Sequence, residues 1–206
     1  QCQGPARRGR VRLIILYGGT FDPVHNGHLA VALAAQSVFR SDVHLLPCAD
    51  PPRRPPASAS AAQRAEMIEL AIAGLSGLHC DRRELRRAGP SYSLLSLREW
   101  RDECGPRQPL AWLIGRDAFL GLPDWHDWQA LFGLCHFIVA DRPERHAAPM
   151  PDALAAACAA RWREHPGELE TAPGGRVFRL RLPLRAESST RIRAGLAGRR
   201  GQADAH

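Results

Sequence analysis

Two histidines three positions apart, His25 and His28, follow the adjacent glycines Gly18 and Gly19 in the stretch LYGGTFDPVHNGHL, residues 16–29. Adjacent glycines between a strand and a helix let the backbone take unusual angles and let a ligand approach the main chain closely. The first N–H groups of the following helix lack intrahelical partners and favour an anion. Two imidazoles aimed at one phosphoryl group would stabilise charge that develops in a transition state. The stretch therefore predicts a nucleotide phosphate site.

Two other interpretations of this stretch stay open. Zinc could bind Asp22, His25 and His28, although a metal site usually needs a further ligand and a supporting shell, which the sequence does not identify. A histidine near a helix start is also often only a cap. The combination of strand, glycine pair and H-x-G-H favours the phosphate site, and we predict no metal held by the protein itself.

A second group suited to phosphate lies near the end of the chain. The segment SSTRIR should open a helix whose bare amides and added positive charge would cradle the β and γ phosphates of a nucleoside triphosphate. Its residues are Ser188, Ser189, Thr190 and Arg193. Alone, such a segment is only a helix cap, but in the same chain as H-x-G-H it supports a triphosphate site.

The elements that must position these groups alternate along the chain. Apolar runs typical of buried strands occur at 11–17, 42–48, 78–85, 109–115, 134–143 and 176–184. Segments typical of helices occur at 27–39, 61–74, 91–104, 128–133 and 152–164, and a last helix starts near 187. Such alternation predicts a single α/β domain with a doubly wound, Rossmann-like parallel sheet that has helices on both faces.

Three finer expectations follow from this arrangement. Gly74 should stop the helix that begins at 61, and Ser91 could cap the helix at 91–104. Ligands of doubly wound sheets bind beyond the carboxyl ends of the strands. We therefore expect the residues after strands one, two, four and five, and the loop before the last helix, to face one crevice.

Composition sets the broad class of the protein. The chain has 206 residues, is 45% hydrophobic and carries a formal net charge of +7, which fits one globular domain. All 28 basic residues are arginine, so a compositional bias explains much of the charge, and we expect neither a nucleic-acid nor a membrane partner. Six cysteines without a C-x-x-C pair are typical of a reduced, cytoplasmic protein.

We expect 1–10 to be a disordered leader, 11–196 the domain and 197–206 a disordered polar tail.

The stretch GGTFDPVHNGH resembles the signature of the H-x-G-H nucleotidyltransferase superfamily, and its fuller form is similar to the bacterial nicotinate-nucleotide adenylyltransferase family. The resemblance continues through the segments LLPCADPPRR, GPSYSLLSL, LIGRDAF, LPDWHDW, VADRP and SSTRIR, over about residues 11–196. It implies an enzyme of NAD biosynthesis that transfers AMP from ATP, bound with Mg²⁺, to nicotinate mononucleotide, and that releases pyrophosphate.

The resemblance also implies roles for individual residues. His25 and His28 match the catalytic histidines. The ATP-binding residues that it implies are Gly18, Gly19, Thr20, Phe21, Gly115, Asp117, Ser188, Ser189, Thr190 and Arg193. The acceptor-binding residues that it implies are Arg53, Arg54, Ser91, Tyr92, Ser93, Trp125, His126 and Arg142.

Some of these positions depart from the family or have simpler explanations. Arg53 and Arg54 stand where the family has histidine and lysine, so positive charge is kept with a different geometry. Ser91 and Ser93 could do no more than cap a helix. A pyridinium ring would stack favourably on a tryptophan, and we expect this role for Trp125 in DWHDW, with Trp128 in the core.

Two rival functions remain. A sister adenylyltransferase could use nicotinamide mononucleotide or phosphopantetheine as the acceptor. A non-catalytic nucleotide- or RNA-binding module would explain the arginine surplus, although phosphate attraction alone does not need both H-x-G-H and SSTRIR. The sequence does not indicate an oligomeric state.

Overall fold

The computed structural model describes residues 12–51, 57–141 and 148–182. Within these ranges the strands are β1 (Ile14–Gly19), β2 (Val43–Pro47), β3 (Leu78–Cys80), β4 (Leu110–Gly115), β5 (His136–Asp141), β6 (Trp162–Arg163) and β7 (Val177–Arg181). The α-helices are α1 (Asn26–Phe39), α2 (Ala61–Ile72), α3 (Arg83–Arg86), α4 (Ser93–Cys104), α5 (Arg116–Leu120), α6 (Trp128–Leu134) and α7 (Asp152–Cys158). Two 3-10 helices cover Leu122–Asp124 and Pro166–Thr171.

The strands form one parallel sheet in the order β3-β2-β1-β4-β5-β7-β6. The chain builds outward from β1 in one direction and from β4 in the other, so the strand order reverses between these two neighbours. Such a switch point leaves a crevice at the carboxyl ends of the strands, where doubly wound proteins bind ligands. The predicted fold class is confirmed.

Successive side chains of β1 point to opposite faces of the sheet and pack in two separate hydrophobic clusters. Ile15 packs in a cluster with Val31 and Ala35 of α1 on one face of the sheet. Leu16 packs on the other face, in a cluster that includes Leu97 of α4. Because both faces are covered, each central strand is a continuous apolar run rather than an alternating one, as the sequence predicted.

Two of the predicted boundaries are wrong. The third strand ends at Cys80 instead of continuing to residue 85, because the Asp81 carboxylate accepts a hydrogen bond from the Arg83 N–H (3.0 Å) and turns the chain into α3. The helix predicted at 152–164 ends at Cys158. The chain then extends into β6, where the Val177 N–H donates to the Arg161 carbonyl (2.8 Å) and begins the pairing with β7.

The expected helix signals give mixed results. α2 ends at Ile72, and Gly74 follows it with a φ of +81°, so the predicted stop is confirmed. α4 starts at Ser93 with Tyr92 as its N-cap residue and no side-chain cap bond, so the predicted Ser91 cap is wrong.

No helix in the described ranges has the length and apolar character needed to span a bilayer. The last predicted helix and the expected leader and tail lie outside these ranges.

Candidate active site

A cavity of about 710 Å³ opens at the switch point of the sheet, a size typical of small-molecule sites. Its walls come from the ends of β1 and β4, the segment after β2, the start of α4 and the region after α5. The predicted crevice is thus confirmed for the residues after the first, second and fourth strands. The residues after β5 and before the last predicted helix lie outside the described ranges.

The glycines at the end of β1 line this cavity, and their packing explains why larger residues do not fit. A Cβ atom on Gly18 would lie 2.3 Å from Cζ2 of Trp112, and one on Gly19 would lie 3.1 Å from the Phe21 ring. Gly18 is therefore needed for the contact between β1 and β4 itself. Both glycines were predicted from the sequence to allow ligand approach, whereas Trp112, which lines the same cavity, was not predicted.

Phe21 connects the cavity wall to the second histidine. Its backbone has a φ of +49° and its side chain is buried, a conformation that costs a non-glycine residue about 1 kcal/mol or more. The ring meets His28 edge-on with centroids 4.9 Å apart, and it also meets Tyr17 at 5.4 Å. Phe21 thus orients His28 by packing, while its predicted contact with ATP stays a prediction.

The two histidines lie together at the start of α1. Their rings stack with centroids 3.8 Å apart and an interplanar angle of 25°. His25 is the N-cap residue of α1, and its Nδ1 accepts a hydrogen bond from the Gly27 N–H (3.0 Å). This bond assigns the proton of the neutral His25 ring to Nε2, which is then a donor. Neither ring lines the cavity described above; His28 is connected to the cavity wall through the Phe21 ring, which would lie 3.1 Å from a Cβ atom on the cavity residue Gly19.

The geometry does not favour zinc at this position. The Asp22 carboxylate accepts hydrogen bonds from the Ser58 N–H and hydroxyl (both 2.7 Å) and from the Ala59 N–H (3.2 Å). These bonds hold the loop after Thr20 against the segment before α2. Among the described residues, no three histidine, cysteine, aspartate or glutamate side chains are grouped to hold a metal.

The segment after β2 forms the next part of the wall. Cys48 lines the cavity, and its Sγ lies 3.7 Å from the Thr20 hydroxyl. Burial raises the pKa of the Cys48 thiol, so it is a neutral neighbour of any phosphate. Ser91 fastens this segment, because its hydroxyl accepts hydrogen bonds from the N–H groups of Ala49 (2.9 Å) and Asp50 (3.2 Å). Ser91 therefore has a structural role that the sequence analysis did not foresee.

Four of the eight residues predicted to bind the acceptor line the cavity, and Ser91 does not. Tyr92, Ser93, Trp125 and His126 all line the cavity. The rings of Tyr92 and His126 stack with centroids 4.5 Å apart, and Trp125 is half-buried against the core cluster beside α4. Trp128 does not line the cavity and packs edge-on against Phe132, 6.2 Å between centroids. An aromatic surface and the glycines of β1 therefore line the same cavity.

Glu84 on α3 is a cavity residue that the sequence analysis missed. Its side chain is buried, and one carboxylate oxygen accepts a hydrogen bond from the Ser96 hydroxyl (2.6 Å). Burial raises the pKa of Glu84, and hydrogen bonds from Ser96 and Ser91 oppose that shift. An acidic residue after a short edge strand looks like a surface residue in the sequence, and only the fold places it beneath the acceptor wall.

The remaining predicted residues divide into two groups. Gly115, at the end of β4, lines the cavity, and Asp117 follows in the first turn of α5 without lining it. The other predicted residues lie outside the described ranges: Arg53, Arg54, Arg142, Ser188, Ser189, Thr190 and Arg193. Their roles stay predictions.

These features define a doubly wound α/β protein with a cavity at its switch point and with a helix start after β1 that carries two stacked imidazoles. More particularly, the chain belongs to the cytidylyltransferase-like family, which matches it over residues 16–195.

Individual proteins that are similar to this chain carry more specific names than the family does. A Stenotrophomonas maltophilia (strain K279a) protein named "Probable nicotinate-nucleotide adenylyltransferase" is 50% identical over 191 residues, 90% of this chain and 86% of the relative. A Pseudomonas paraeruginosa (strain DSM 24068 / PA7) protein of the same name is 46% identical over 187 residues, with the same coverage. The solved Plasmodium falciparum nicotinic acid mononucleotide adenylyltransferase complexed with NaAD superposes with a TM-score of 0.62 at 16% identity, covering 89% of this chain and 83% of that one. That likeness concerns the fold.

Proposed function

We propose that this chain is a nicotinate-nucleotide adenylyltransferase, which joins ATP and nicotinate mononucleotide to give nicotinate adenine dinucleotide and pyrophosphate in NAD biosynthesis. One observation carries the proposal: the glycine end of β1 and the aromatic wall at Tyr92, Ser93, Trp125 and His126 line a single cavity. A donor phosphate on one side and a pyridine ring on the other can therefore meet. The names of the bacterial relatives support the same reaction.

The proposed reaction is direct transfer. An oxygen of the acceptor 5′-phosphate attacks the α-phosphorus of ATP, a new P–O bond forms there, and the bond to the oxygen that bridges the α and β phosphates breaks as pyrophosphate leaves. The acceptor phosphate is already anionic, so the protein needs no nucleophile of its own. It contributes positioning and charge stabilisation.

Each part of the site has a proposed task. His25, whose Nε2 is the donor in the neutral ring, and the stacked His28 would donate to the transferring phosphates. Asp117, just after Gly115, would accept hydrogen bonds from the ATP ribose. Trp125 would stack on the pyridinium, and Ser93 and the His126 backbone would bind its carboxylate. Arg53, Arg54 and Arg142 would contact acceptor phosphate.

The leaving group would be bound by the segment near the end of the chain. Ser188, Ser189, Thr190 and Arg193 would cradle the β and γ phosphates with a helix start and a positive charge. Magnesium would enter with ATP as part of the substrate. Reduced cysteines would suit a cytoplasmic enzyme; the five described ones are all free thiols.

Pyrophosphate release from Mg·ATP tests the proposal, with nicotinate mononucleotide, nicotinamide mononucleotide and phosphopantetheine compared as acceptors. We expect the highest kcat/KM with nicotinate mononucleotide. A higher value with either other acceptor would assign the chain to a sister transferase. ATP or RNA binding without pyrophosphate release from any acceptor would indicate a non-catalytic binding module.

A further inference from the structure

The side chain of Arg64, on the first turn of α2, is 1% exposed and is among the largest fully buried side chains of the described residues. Its guanidinium donates to three backbone carbonyls: Nη1 to Thr20 (2.5 Å), Nη2 to Cys48 (2.7 Å) and Nε to Ala59 (3.2 Å). Three separate loops thus converge on one planar, rigid cation.

Two of these carbonyls belong to the cavity wall. Thr20 and Cys48 line the cavity, whereas Arg64 itself does not. The two loops also touch directly, since the Cys48 N–H donates to the Gly19 carbonyl (3.0 Å). The guanidinium therefore lies behind the backbone of the wall and fixes the spacing between the loops that follow β1 and β2.

Arg64 lacks an ion-pair partner within the described part of the chain, and the buried carboxylate of Asp22 is linked to it only through Ala59, whose carbonyl accepts from Arg64 and whose N–H donates to Asp22 (3.2 Å). Among the described residues no carboxylate forms an ion pair with it, in contrast to Arg83, which pairs with Asp81 (2.5 Å) and Glu103 (3.1 Å). A buried cation without an anion is costly. Carbonyl oxygens satisfy its hydrogen bonds but leave its net positive charge, which favours an anion on the other side of the wall.

A second arginine shows that carbonyl binding alone can be purely structural. Arg101 on α4 donates to the carbonyls of Leu134 (2.8 Å), Gln108 (2.5 Å) and Pro173 (2.6 Å). Leu134 and Gln108 precede β5 and β4, so this arginine lies at the amino ends of the strands, opposite the cavity. Arg64 and Arg101 form the same type of hydrogen bond, and they differ in that only Arg64 lies behind the cavity wall.

We propose that Arg64 is a positioning residue for the phosphates of ATP: it holds the Thr20 and Cys48 carbonyls at a fixed spacing and places a positive charge behind the wall. This inference rests on the proposed function. It assigns a role in the transfer site to a side chain that touches no substrate.

Matched substitutions at the two arginines test the inference. Arg64→Met and Arg64→Lys are compared with Arg101→Met and Arg101→Lys by thermal unfolding and by calorimetric titration with ATP and with adenosine, well below each melting temperature. We expect all four variants to lose stability. We expect Arg64→Met to weaken ATP binding about tenfold or more, Arg64→Lys to recover part of this loss because it keeps the charge, and adenosine binding to change less than twofold. The Arg101 variants should bind both ligands like the wild type.

Three outcomes overturn the inference: Arg64→Met binds ATP within twofold of Arg101→Met, it loses ATP and adenosine affinity equally, or Arg64→Lys is no better than Arg64→Met. Should Arg64→Met not fold, Arg64→Lys decides alone, with a loss of about threefold in ATP affinity expected relative to Arg101→Lys; equal affinity of these two variants overturns the inference. If the wild type itself fails to bind ATP, the proposed function fails instead.

Discussion

Replacing Gly18 with alanine should destabilise the protein through one identifiable clash. The new Cβ would lie 2.3 Å from Cζ2 and 2.9 Å from Cη2 of Trp112, whereas unstrained carbon atoms lie about 3.5–4.0 Å apart. The Trp112 side chain is 3% exposed, so it has little room to move. Overpacking of this kind costs about 1–3 kcal/mol.

Trp112→Phe removes the two ring atoms that clash, so the double variant isolates the contact. Trp112→Phe alone is destabilising because it leaves a cavity. We expect Gly18→Ala and Trp112→Phe together to lose less free energy of unfolding than the sum of the single losses, by about 1 kcal/mol or more in urea titrations. Gly133→Ala on α6 is the matched control: a Cβ there meets no atom within 4 Å, and alanine should add about 0.5–1 kcal/mol. Additive losses, or a Gly18→Ala protein as stable as the wild type, would refute this account of Gly18.

Three further predictions concern histidines and tryptophans. His28→Ala should lower kcat about 10²-fold or more, because it would remove the proposed donor to the transferring phosphates; near-full kcat in a steady-state assay would contradict that role. Trp125→Ala should raise the KM for nicotinate mononucleotide about tenfold with the KM for ATP unchanged, whereas Trp128→Ala should lower the melting temperature and leave both KM values within twofold. Burial lowers the pKa of His136 from 6.5 to about 4, so the unfolded chain takes up the proton first, and the free energy of unfolding should fall by up to about 3 kcal/mol as the pH drops from 6.5 to 4. His136→Gln should reduce this pH dependence in urea titrations at pH 7 and 4.5, and an unchanged slope would show that other groups cause it.

The sequence predicted the central strands because each is a run of residues buried on both faces, as in β1 and β4. It failed at two boundaries, one set by a long-range strand pairing and one by a local side-chain hydrogen bond. The chain around Trp162 has a helical composition, yet pairing with β7 makes it extended. β3 stops because the Asp81 carboxylate bonds to the Arg83 N–H, a local turn that residue types alone did not show.

Short motifs with their own geometry predicted the cavity glycines at the end of β1 and the place of the two histidines at the start of α1. Tyr92 and His126 were predicted from the family resemblance, and the structure stacks them in the same cavity. Arg64 was missed because a polar residue on a helix looks solvent-exposed in the sequence, and Glu84 was missed because residues 78–85 were predicted as one strand. Their burial depends on loops that meet only in the folded chain.

Product analysis tests the central claim most directly. Wild-type protein is incubated with Mg·ATP and nicotinate mononucleotide, and the dinucleotide and pyrophosphate are quantified in the same samples. The account predicts that both products accumulate in a one-to-one ratio and that neither forms without the acceptor. Pyrophosphate or phosphate released without dinucleotide, or no product from either substrate, would contradict transfer within this cavity.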